Sequence, residues 1–89
     1  MAAQNKQLEK IRAAGLVRSA GEVELVLLAA GRPIRRAAGS HKVAVLPDGR
    51  RMAYHEHGEY GSGLGRKLFK ILASAGLLTM AAAIAALLT

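Results

Sequence analysis

Two reversal signals constrain the middle of this chain more than anything else in it. Gly39-Ser40 is one and Pro47-Asp48-Gly49-Arg50 is the other. Glycine supplies the unusual backbone angles of a tight turn, proline presets its first corner, and aspartate bonds its own backbone there. The signals divide the stretch after Pro33 into three pieces, Ile34–Ala37, Lys42–Leu46 and Arg51–His57, each too short for a stable helix. A chain that reverses twice over so short a span pairs its pieces as antiparallel strands. Val43 and Val45 share one face of the second piece. In the third, Met52, Tyr54 and Glu56 fall on one side and Ala53, His55 and His57 on the other.

The flanks read as helical. Residues 3–14 carry Leu8 and Ile11 and stop at Gly15. Ser19 stands three residues before Glu22, the spacing of a capping box. The helix it opens, over about 20–30, is apolar nearly all round (Val23, Leu25, Val26, Leu27, Leu28) and should be well buried, with Gly31 closing it. After a glycine-rich loop, helix resumes near Leu64 and runs through Leu68, Phe69, Ile71 and Leu72 towards Gly76. The expected architecture is α+β, a three-stranded antiparallel sheet with helices packed on one face. It forms one compact body in three parts: an N-terminal helical extension (1–18), a central domain (19–77) and an apolar helical C-terminal extension (78–89).

Composition narrows the chemistry. Tyr54, Tyr60 and Phe69 are the only aromatics, so the core must be aliphatic, and the absence of cysteine excludes disulfides, thiolate metal sites and cysteine nucleophiles. A formal charge of +7 on 89 residues favours polyanionic partners. Between Arg32 and Arg51, Arg32, Arg35, Arg36, Lys42, Arg50 and Arg51 stand against the single acid Asp48. The first dozen residues are polar and charged, unlike a signal peptide, so the cytoplasm is the expected compartment. Residues 71–89 hold no charge and reach membrane-spanning length, but seven of the nineteen are alanine. Ile71, Leu72 and Leu77 are also expected to cover the sheet, which leaves too few residues to span. The tail is therefore expected to pack on residues 3–17 or to join a second copy in a homodimer, and a membrane anchor is not expected.

Gly31, Arg36, Gly39-Ser40-His41 and Pro47 occur in a spaced order, followed by Tyr54-His55-Glu56-His57 and then Ile71-Leu72-Ala73-Ser74-Ala75-Gly76-Leu77. Over residues 19–77 this pattern resembles the HicA toxins, small mRNA interferases of HicA–HicB toxin–antitoxin pairs. Where that family usually has an aromatic after the first glycine, this chain has Arg32. The resemblance implies a fold like that of a double-stranded-RNA-binding domain, metal-independent endoribonuclease activity, no cofactor and a HicB-like antitoxin partner. It matches the family's histidine at the end of the third strand to His57.

Within that frame His41 is the candidate catalytic base, because an imidazole titrates near neutral pH and can take the proton of a ribose 2′-hydroxyl. His57 is the candidate second acid or base. Arg36 and Lys42 are candidates to neutralise the phosphate, and Ser40 to bond one of its oxygens. Arg35 and Arg51 complete the candidate RNA-binding set. Arg35 and Arg36 point to opposite sides of an extended segment, so at most one of them joins the site. His41, His55 and His57 together would offer zinc three nitrogens, yet exposed strand histidines commonly stand without metal, and no metal is expected. The alternative reading is a catalytically inactive RNA-binding or protein-interaction module on the same fold.

Overall fold

A computed structural model describes residues 2–88. The elements run α1 (Ala2–Ala14), α2 (Ala20–Ala29), β1 (Ile34–Arg36), β2 (His41–Val45), β3 (Arg51–His55), α3 (Ser62–Ser74) and α4 (Leu77–Leu88). The strands form one open antiparallel sheet in the order β1-β2-β3. The fold is thus α+β, with four helices.

Both reversal signals act as turns. Gly39, at φ 65°, is the first corner of the turn Ala38–His41, closed by the His41 amide on the Ala38 carbonyl (3.4 Å), and the register leaves three residues, 38–40, between the paired Ala37 and His41. A left-handed residue there matches the right-handed twist of the flanking strands. At the other turn the Gly49 amide donates to Leu46 O (2.9 Å) and the Leu46 amide to Arg50 O (2.8 Å), around Pro47 at the first corner and Gly49 at φ 89°. A turn of this shape followed by a left-handed glycine closes a three-residue hairpin.

β1 begins with a missing donor. The Ala37 amide bonds His41 O, and the register pairs Arg35 with Val43, so the next rung would bring residue 33 to Val45 O. Residue 33 is proline and has no N–H. The Arg32 guanidinium takes that place, donating from Nε (3.1 Å) and Nη2 (2.8 Å) to Val45 O. Arg32 therefore completes the sheet where the amide is missing.

The helices cover one face. Ala44, Leu46, Met52 and Tyr54 are buried against them, while Val43 and Val45 lie half-buried on the other side with Arg35, Arg51, Ala53, His41 and His55. Ser19 caps α2 by accepting the Glu22 amide, and Glu22 accepts the Arg18 amide in return (2.7 Å). Leu8, Ile11 and Val17 share a single core with Val23, Val26, Leu27, Leu68, Leu72, Leu77, Leu78 and Ala81. α4 packs on α1, α2 and α3, so the apolar tail meets residues 3–17, as its composition suggests. Among the described residues no single helix is long and apolar enough to cross a membrane, and α3 and α4 meet at a bend of 66°. Gly65 lies against the loop between α1 and α2: its carbonyl accepts the Val17 amide (3.2 Å), and a Cβ there would overlap Val17 O.

Candidate functional site

The ladder decides which residues meet. β2 opens with His41, the residue leaving the Gly39-Ser40 turn, and the register sets it opposite His55, the last residue of β3. Both are exposed on the open face, with ring centroids 4.4 Å apart and planes tilted by 43°. The expected partner was His57, but β3 ends at His55 and the chain then bends away. His57 lies exposed beyond the ladder, beside Glu56. The strand is shorter than its pattern of side chains because its last cross-strand bond, from the Glu56 amide to Ser40 O (2.7 Å), already reaches the opposing turn. No β2 residue remains for His57 to face. Ser40 is exposed at that turn, next to His41.

Tyr60 steadies the His55 end. Its hydroxyl donates to His55 O (2.6 Å) and its amide to Arg18 O (2.8 Å), which ties the end of β3 to the segment before α2. Burial, with help from the Glu24 carboxylate, pushes the Tyr60 phenol above its ordinary value.

The cations divide by face. Arg36 and Lys42, expected to face the phosphate, pair with each other across β1 and β2, one position out of phase with His41, and so belong to the helix side. Each meets a carboxylate there. Arg36 grips Glu56 with two parallel bonds (2.7 and 2.8 Å), and Lys42 Nζ reaches Glu24 (2.8 Å). Tyr54, only 2% exposed, donates to the same Glu24 oxygen (2.9 Å). Partial burial works against the Glu24 charge, but the bonds from Lys42 and Tyr54 outweigh it and hold the carboxyl below its ordinary value. The Arg36 bonds do the same for Glu56. Arg35 and Arg51 share the open face with His41. Neither has a carboxylate partner among the described residues. Together with Arg36, Val43 and Val45 they line a depression of about 210 Å³.

The structure therefore brings His41, Arg35 and Arg51 to one face, adds His55, and turns Arg36 and Lys42 to the other. The signal for His55 was present in the sequence, since it shares a strand face with Ala53 and lies close to the hairpin arithmetic set by the Pro47 turn. Choosing it over His57 required the strand end. Among the described residues no group of three or more metal-ligating side chains converges.

Two neighbouring imidazoles on a solvent-open face, with guanidinium groups along the same face, suit proton transfer at a bound phosphodiester: one ring accepts a proton while the other donates one. No protein-family model, curated protein or solved structure matches this chain.

Proposed function

We propose that the protein is a metal-independent endoribonuclease of the mRNA-interferase kind, with a HicA-like domain over residues 19–77. The single observation that carries this reading is the exposed His41–His55 pair, 4.4 Å between centroids, at one end of a sheet face that also bears Arg35 and Arg51. The order α2-β1-β2-β3-α3, with helices on one face only, supports a likeness to the double-stranded-RNA-binding-domain fold.

In this reading neutral His41 takes the 2′-hydroxyl proton, and the freed oxygen attacks the adjacent phosphorus in line. The bond to the 5′-oxygen breaks, and protonated His55 supplies the proton that this leaving oxygen needs. The products are a 2′,3′-cyclic phosphate and a 5′-hydroxyl. Arg35 neutralises charge building on the phosphate from the same face, and Ser40 offers a hydroxyl at the turn. Arg36 and Lys42 act from beneath, fixing the strand ends that carry the histidines. The open face is also where a HicB-like antitoxin would stop the enzyme, by covering the pair.

The test incubates purified protein with single-stranded RNA, the parent beside His41→Ala, with and without chelator. The parent cleaves in both conditions, and His41→Ala loses about 10²–10⁴-fold in rate with its fold unchanged. Equal cleavage by the two proteins removes His41 from the mechanism. RNA binding without cleavage by the parent leaves an inactive RNA-binding module.

A further inference from the structure

We propose that the depression between Arg35 and Arg51 is a nucleobase subsite, holding one unpaired residue of a single-stranded RNA next to the cleavage point. The endoribonuclease reading supplies the cleavage point; the subsite itself stands on the shape and charge of the sheet face. Its floor is apolar, made by the half-buried side chains of Val43 and Val45. One guanidinium comes from each edge strand, Arg35 opposite Val43 and Arg51 opposite Val45, so the two flank the floor on a diagonal.

A simple anion site would not need the valines, and a simple apolar site would not carry two guanidiniums. The combination suits a base, whose face lies on aliphatic carbon and on the planar guanidinium, and whose own phosphate takes the guanidinium's N–H groups. The fold also keeps these cations free for a ligand. Arg36, which also lines the depression, is held by Glu56, whereas Arg35 and Arg51 have no carboxylate partner among the described residues and no carboxylate is among the lining residues. At a rise of about 3.3 Å per residue, Val43 sits about 7 Å and Val45 about 13 Å along β2 from His41, within the reach of the nucleotides neighbouring the scissile phosphate. A base lying on this floor cannot be paired, so the subsite selects single strands over duplex.

The test uses a trideoxynucleotide, which has no 2′-hydroxyl and cannot be cut by this route, titrated into the full chain by NMR. Shifts are expected in the Val43 and Val45 methyls together with the His41 and His55 ring signals, and inorganic phosphate alone should leave the methyls in place. Val43→Asp, and separately the double change Arg35→Gln with Arg51→Gln, should each weaken binding about tenfold or more while amide dispersion stays native. Unmoved methyls, or unchanged affinity in a folded Val43→Asp, overturn the subsite. Methyls that shift in a protein that does not cut RNA leave the subsite standing and remove the nuclease. RNA cleavage with unmoved methyls does the reverse.

Discussion

At the scale of single residues, position on the ladder outweighs residue type. His55 and His57 are chemically identical and two places apart, yet only His55 faces His41 across the sheet. In the proposed mechanism the two therefore take different parts. With RNA as substrate, His55→Ala should lower the cleavage rate about 10²–10⁴-fold, the range of a lost acid or base, while His57→Ala should leave it within about threefold of the parent. Single-turnover assays read this directly, and equal losses for both would return His57 to the mechanism. Arg32 shows the same rule on the structural side. Its charge, counted with the basic cluster by composition, is engaged at Val45 O because a proline follows it and the ladder lacks a donor there.

At the scale of elements, two contacts set how the helices meet the rest of the chain. α2 is hooked to the sheet by Glu24, which accepts from Lys42 and Tyr54. Its carboxyl is lower in the folded protein than its ordinary value of 4.5. The stabilisation from this group is therefore complete above that value and fades as pH falls through the folded one. Glu24→Gln should cost about 1 kcal/mol at neutral pH, discounted for partial exposure, and should flatten the loss of stability in acid. Denaturant titrations at neutral and acidic pH, parent beside variant, measure both effects, and an unchanged acid slope would show that Glu24 carries none of it. α3 meets the α1–α2 loop at Gly65, where the backbones are too close for a side chain. Gly65→Ala must push them apart and should destabilise by about 1–3 kcal/mol even though alanine favours helix. A midpoint equal to or above the parent's would mean that the contact yields freely.

At the scale of the whole molecule, the terminal segments are built into the core, since Leu8, Ile11, Leu77, Leu78 and Ala81 are all buried in it. Deleting residues 78–89 removes Leu78 and Ala81 and uncovers the faces of α1 and α2 beneath α4. The loss of a buried leucine alone is about 2–5 kcal/mol, a large share of what a chain of this size has. The truncated protein should unfold at least 10 °C lower, at roughly 4–8 °C per kcal/mol, or lose its cooperative transition. A native melting curve would show that α4 is dispensable. Much of this architecture was legible beforehand. The two turns, the Ser19 cap and the glycine that ends α2 are local chemistry, and local chemistry is written residue by residue; the tail's packing on the first helix was one of two outcomes left open by its composition. The sequence by itself also showed that Arg35 and Arg36 must part, because successive side chains of a strand alternate. It did not show which would share a face with His41, nor that β-branched Val43 and Val45 would line the open side while Ala44 and Leu46 went inward. Those outcomes depend on strand register and on which face the helices cover. Both are fixed by contacts between residues distant in sequence: Leu46, Met52 and Tyr54 against α2 and its neighbours, and the Ser40–Glu56 bond that ends the ladder at His55. The chain determined its elements and its supply of charge, and tertiary packing alone decided which imidazole and which guanidinium groups came to lie together.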